Sequence, residues 1–403
     1  MNIFSDHINN ACPSILRATL INLLLILLFV LLPNQTAGQT KILIDDPEFT
    51  IDAIAAIDSL YNRNEAAARV ILKPWQNRYP DHPIWILWSG MENWWLVLED
   101  LAVTVHEERF VELMREADFE AGRILRNEPD HTDALVIRAV SNSYVARMHA
   151  NKEQWITSLQ VGRRGFQAHQ RLMEVAPDLP DNYFAEGMKY YYAAYVPETY
   201  PIVRPVSFFL PDGDREKGME LLKEAIEKSI FARPEATYFL ATINFFYEND
   251  HLTAKRLYYS LVEQYPDNGY YRRMYMGTLG QLREYSNMIQ FYSETMAHWQ
   301  LKGLPAPAVM EHELTYWCGR AQYYLGDYSS AFNSFAKAAE IGNGLANSER
   351  RDLQTLSTYF AGITAEELGR HDQAAKYYRM AISQRAMPEA VRGARERLRE
   401  LDS

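Results

Sequence analysis

Residues 315–340 read TYWCGRAQYYLGDYSSAFNSFAKAAE. Apolar residues recur at spacings of three and four on both sides of Leu325-Gly326-Asp327-Tyr328, the pattern of two amphipathic helices joined by a tight turn. Asp327 is placed to cap the second helix. Small residues, Gly319 in the first helix and Ala331 in the second, let the two backbones approach, and Phe335 and Ala338 continue the packed face. A helix pair of this length cannot bury its apolar side alone, so further pairs must stack on it.

The same set of residue types recurs outward in both directions. Residues 235–268 place Tyr238, Ala241, Thr242, Phe245, Ala254, Tyr258, Leu261 and Pro266 at matching spacing around the turn Asn249-Asp250-His251. Residues 355–388 repeat it with Ala361, Gly362, Leu368-Gly369, Ala374, Tyr378 and Ala381. With 312–341, these three segments resemble the tetratricopeptide repeat family, whose unit is a pair of antiparallel helices about 34 residues long. The N-terminal half follows the plan with longer hairpins, read at 46–78, 83–126, 132–175 and 182–231, and a looser unit lies at 270–301. Breakers punctuate it: Arg78-Tyr79-Pro80-Asp81-His82-Pro83, Glu128-Pro129-Asp130-His131, Ala176-Pro177-Asp178-Leu179-Pro180 and Gln264-Tyr265-Pro266-Asp267-Asn268. The resemblance implies an all-α, right-handed α-solenoid of about eight antiparallel helical hairpins, one continuous repeat domain over 47–403.

Ahead of it, Arg17 precedes an apolar run from Leu23 to Leu32, Pro33 ends the run, and Thr36, Ala37 and Gly38 follow. That is the layout of a cleavable export signal over 1–38, with an extended entry at 39–46. Arg17 and Pro33 bracket 15 residues, short of the roughly 20 that a spanning helix needs. Cys12 lies before the run, where it offers no lipid-anchor site. The expectation is an exported protein of bacterial type, periplasmic or extracellular, with a peripheral place at the outer membrane or in an envelope complex open to it. Cleavage would leave Cys318 alone, a buried thiol on an apolar stripe without a disulfide partner. A net charge of −11 argues against non-specific binding to nucleic acid.

One connection breaks the pattern. Residues 197–214 carry Pro197, Pro201, Pro205 and Pro211 among Tyr200, Ile202, Val203, Val206, Phe208, Phe209 and Leu210, so one uninterrupted helix is impossible there. The expectation is a loop folded over its own hairpin, with a partner or membrane contact as the other reading. The following Gly213-Asp214-Arg215-Glu216-Lys217-Gly218 with Leu221-Leu222 gives 187–254 a weaker resemblance to eukaryotic tetratricopeptide proteins linked to clearance of mitochondrial outer-membrane inclusions.

Catalytic patterns are missing. There is no Gly-x-Ser-x-Gly turn, no His-Glu-x-x-His pair, no paired cysteines for zinc and no phosphate-binding loop at Gly342-Asn343-Gly344. Adjacent acids such as Glu107-Glu108 and Glu366-Glu367 point in different directions on a helix. His82 and His131 lie at turns, in surface or capping roles. The reading is a non-enzymatic protein without metal or cofactor.

The resemblance further implies that the first helix of each hairpin lines a concave groove. The positions facing it would be Phe239, Ile243, Phe246 and Tyr247; Tyr271 and Met274; Glu313, Tyr316, Arg320, Tyr323 and Tyr324; then Tyr359, Ile363, Glu366 and Glu367. Such an aromatic groove suits a protein or peptide partner. Arg320 among tyrosines could take a carboxylate. The alternative is a periplasmic glycan- or small-ligand-binding protein, with or without hydrolytic activity, using Trp85, Trp88, Trp94 and Trp95, whose first reading is core packing.

Overall fold

The structure is a computed structural model in which residues 40–201, 212–304 and 306–401 are described. The export-signal reading of 1–38 and most of the 197–214 connection therefore lie outside the described residues. Met1–Lys41 and Ile42–Ser403 form separate units, and the first is described only at Thr40 and Lys41.

The second unit is an all-α solenoid. Its helices pair as α1 (Pro47–Tyr61) with α2 (Glu65–Arg78), α3 (Ile84–Glu99) with α4 (Val105–Asn127), α5 (Thr132–Asn151) with α6 (Trp155–Val175) and α7 (Asn182–Thr199) with α8 (Arg215–Lys228). Four shorter hairpins follow: α9 (Arg233–Phe246) with α10 (His251–Gln264), α11 (Gly269–Gln281) with α12 (Tyr285–Lys302), α13 (Ala308–Tyr324) with α14 (Tyr328–Asn343), and α15 (Asp352–Glu367) with α16 (His371–Ile382). A last helix, α17 (Pro388–Leu401), covers α15 and α16. Eight hairpins and a terminal helix thus make up the described solenoid.

Turn chemistry sets the boundaries. The side chains of Asp46, Asn64, Asp214, Asp250, Asn268 and Asp327 accept hydrogen bonds from the first free N–H groups of their helices, satisfying donors that would otherwise lose water without a partner. Inside six hairpins the turn passes through left-handed backbone: Arg63, Glu153, Asn249, Arg283, Gly326 and Gly369. Between hairpins, Tyr79, Glu128, Ala176 and Tyr265 end their helices with φ between −125° and −137°, because each precedes a proline that excludes the helical basin.

Close helix approach is where the motif residues act. Ala331, Phe335, Ala338, Ala374, Tyr378 and Ala381 are fully buried. A methyl group on Gly319 would stand 2.9 Å from the Phe335 ring, and one on Gly362 would stand 2.5 Å from Tyr378. The Gly213-to-Gly218 segment has its own reason. A methyl on Gly218 would meet the Tyr191 nitrogen at 2.6 Å and the Gly187 oxygen at 2.9 Å, so α7 and α8 cross backbone to backbone.

The first hairpins are not at a free end. Tyr265 Oη donates to Asp58 at 2.8 Å, Tyr61 Oη to Glu235 at 2.8 Å, and Asn268 Nδ2 to the Tyr61 carbonyl at 2.6 Å. Farther along, Arg273 Nη2 donates to the Leu98 carbonyl at 2.9 Å, and Arg351 forks onto Asp100 at 3.0 and 2.7 Å. Trp95 completes the seam, edge-on to Tyr61 at 5.0 Å and to Tyr271 at 5.6 Å. Helices α1 and α3 therefore pack on α9, α11 and the turns beside them, and the trough expected along the first helices is filled there by the chain itself.

At the entry, Asp133 on α5 accepts from the Leu43 and Ile44 nitrogens at 2.6 and 3.1 Å and lies 3.2 Å from His82 Nε2. His82 and His131 are both buried, at 5% and 2% exposure. Each Nδ1 accepts a helix-start N–H, from Ile84 and Ala134. Their role is capping, and neither is at the surface.

Candidate functional site

The aromatic and methionine groove residues divide into three groups. Tyr271 and Tyr316 are core, at 1% and 0% exposure, and offer a partner no surface; Tyr271 is covered by Trp95, and Tyr316 lies against Trp317 and Phe335. The neighbouring positions Ile243 and Ile363 are buried as well. Phe239, Tyr247, Met274, Tyr323 and Tyr359 are half-buried. Tyr247 packs tilted against Tyr195 at 4.4 Å, and Tyr359 is covered by α17 near Gly393. Phe246 and Tyr324 are exposed, at 55% and 52%.

Arg320 sits between these groups on α13. Its Nη1 donates to Tyr316 Oη at 2.9 Å and its Nη2 to Tyr324 Oη at 2.6 Å. The guanidinium lies 4.6 Å over the Phe360 ring and 5.1 Å over Tyr324, and its Nε has no acceptor. Tyr285 stacks on Tyr324 at 4.9 Å, and Tyr323 stands edge-on to Phe360 at 5.8 Å. Among the described residues no carboxylate pairs with Arg320, so two neutral hydroxyls and the ring faces of Phe360, Tyr324 and Tyr316 hold a full positive charge. Burial pulls its pKa down and the tyrosines raise it, with a net rise, so it stays charged.

A second cluster went unread in the sequence. Glu235 on α9 accepts from Tyr61 at 2.8 Å and from Tyr144 on α5 at 2.6 Å. Arg147 on α5 lies 3.8 Å from the other Glu235 oxygen. Its guanidinium is 4.9 Å over Trp94, 5.0 Å over Tyr238 and 4.6 Å over Phe239. Tyr238 and Tyr270 share a hydrogen bond of 2.7 Å beside it. Burial and the Glu235 charge push the Tyr61 and Tyr144 hydroxyls well above the ordinary tyrosine range, so both remain protonated donors. A signal existed: α5 carries polar Asp133, Ser141 and Asn142 into the interior, so polar groups lie on its buried side and a simple stripe reading misses Arg147.

The tryptophans behave as core. Trp94 and Trp95 are 1% and 2% exposed, and Trp85 and Trp88 are half-buried with their N–H groups on the Tyr79 carbonyl and Glu92. Trp94 and Trp95 therefore present no exposed indole face to a sugar. Cys318 is buried, and burial pushes its thiol up to about 11, which leaves almost no thiolate at neutral pH. No group of three or more potential metal ligands occurs among the described residues, and no described helix is long and apolar enough to cross a membrane.

No known protein family matches the chain, and no curated protein does. Among solved structures it is similar to yeast Tom70, at 10% identity with a TM-score of 0.39, over 89% of this chain and 82% of that one. It is also similar to the human IFIT1 dimer with m7Gppp-AAAA, at 12% identity and 0.32 over 85% and 96%, and to the TPR domain of P58(IPK), at 10% and 0.19 over 72% and 93%. None of these likenesses assigns a ligand to this chain.

Proposed function

We propose that the chain is a non-enzymatic interaction protein that receives an acidic peptide segment at Arg320, with Tyr323 and Tyr324 as its aromatic frame. The observation that carries this reading is the unpaired charge of Arg320 beside an exposed ring. A guanidinium in a cage of tyrosine hydroxyls is oriented but not neutralised, and a peptide carboxylate supplies the missing anion through a charge-assisted hydrogen bond. Exposed Tyr324 and its stacked neighbour Tyr285 give the peptide backbone a flat apolar floor. The export-signal pattern of 1–38 supports a periplasmic or extracellular setting, and removal of those residues from protein recovered from the envelope is the direct check.

The test uses a labelled peptide array of fixed length in which acidic residues are scanned along an aromatic-rich background. Loss of a charged hydrogen bond of about 1.5–3 kcal/mol weakens binding by roughly ten- to a hundredfold. Arg320→Gln should show that loss while helical circular dichroism and melting stay as in the parent. Equal binding by parent and variant, or no preference for acidic peptides, defeats the reading. Tyr316 is left out of the test because its burial makes any substitution a core change.

A further inference from the structure

We infer that the wall around Arg147 is a binding site for a small monocarboxylic acid with an apolar body, separate from the Arg320 face. First helices of four hairpins converge on it: Trp94 from α3, Tyr144 and Arg147 from α5, Glu235 and Phe239 from α9, and Tyr270 from α11. Arg147 and Glu235 face each other across 3.8 Å as a loose ion pair, too far apart for a hydrogen bond. Among the described residues its guanidinium makes no hydrogen bond; it has three ring faces and one carboxylate at 3.8 Å. Glu235 accepts from the two tyrosine hydroxyls on Oε1, and its Oε2, the oxygen that faces Arg147, has no hydrogen-bond donor. A guanidinium taken from water without acceptors is costly, and ring faces offset only part of that cost. A methionine or leucine would pack against the same rings without the penalty.

The chemistry of the wall selects the ligand. The rings cover the faces of the guanidinium, so an oxygen acid must approach its N–H edge, which suits a planar carboxylate. Beside it, the Trp94 ring is 1% exposed and lies against the guanidinium, so it supplies a ring face and no accessible donor. A dianion is disfavoured, because Glu235 stands close by and the next arginine is already occupied: Arg273 holds Glu313 at 3.3 Å and the Leu98 carbonyl at 2.9 Å. The Arg147 side chain keeps 15% of its surface accessible, and Phe239 and Tyr192 beside the wall are half-buried, which leaves an apolar flank for the body of a small acid.

Titration of the full chain with phenylacetate and octanoate, read by tryptophan fluorescence and melting temperature, tests this. Saturable binding is expected for the acids, with at least about tenfold weaker binding of the neutral phenylacetamide. Arg147→Met should abolish acid binding, and Arg320→Gln should leave it unchanged, which separates this site from the peptide face. Glu235→Gln, which keeps an acceptor for Tyr61 and Tyr144 but removes the competing charge, should tighten acid binding several-fold and serves where Arg147→Met disturbs the fold. No saturable binding of either acid, equal binding of the amide, or weaker binding in Glu235→Gln overturns the proposal.

Discussion

His312 shows how one side chain senses pH through packing. It is 1% exposed on α13, its Nε2 has no partner, and burial with the nearby Arg351 charge lowers its pKa from 6.5 to about 4. The unfolded chain takes up this proton first, so the contribution to stability is complete above the unfolded value and is lost as pH falls towards the folded one. Between pH 7.5 and 5 the loss from this group is about 2 kcal/mol. His312→Leu should shrink the difference in urea midpoint between those two pH values, and an unchanged difference would remove His312 as the cause. Individual residues were unevenly legible. Gly319, Ala331 and Phe335 announce themselves because helix contact leaves room for few side chains. Arg147 and Glu235 do not, because their roles depend on partners 91 to 174 residues away, as with Tyr144 and Tyr61 on Glu235.

Helix α8 was marked in the sequence by Gly213 and Gly218, and its crossing with α7 supplies the reason. The atoms facing Gly218 are the Tyr191 nitrogen and Cβ and the Gly187 oxygen, none of which can rotate aside, so Gly218→Ala forces the helices apart. The expected cost is about 1–3 kcal/mol, read as a lower urea midpoint at constant slope; a neutral effect would mean that α7 and α8 lie farther apart than described. The hairpins themselves follow from local signals, since caps, prolines and helical spacing act over a few residues. Helix α3 shows where such reading stops. Ile84–Glu99 is apolar nearly all round, IWILWSGMENWWLVLE, which signals burial on more than one side, yet the sequence cannot say that the second side is α11. For the same reason Tyr271 reads as a groove position when its partner is Trp95 of its own chain.

For the unit as a whole, the seam joins segments that an open array would keep apart. An ordinary solenoid has only neighbour contacts, so a local change spreads no farther than the next repeat. Here Arg351 and Asp100 are 251 residues apart in sequence and form a forked ion pair with side chains 11% and 19% exposed. Arg351→Ala should therefore speed amide hydrogen exchange in α3 as well as in α15; acceleration confined to α15 would show that the seam carries no stability. The same feature bears on synthesis. Hairpins built from local contacts can form as they leave the ribosome, but the edge of α1 at Asp58 and Tyr61 waits for Glu235, Tyr265 and Asn268 to be made. Such late partners raise contact order and slow the final step. The nascent N-terminal half stays wet along that edge until more than two hundred further residues have been translated, a period in which a chaperone would find it uncovered.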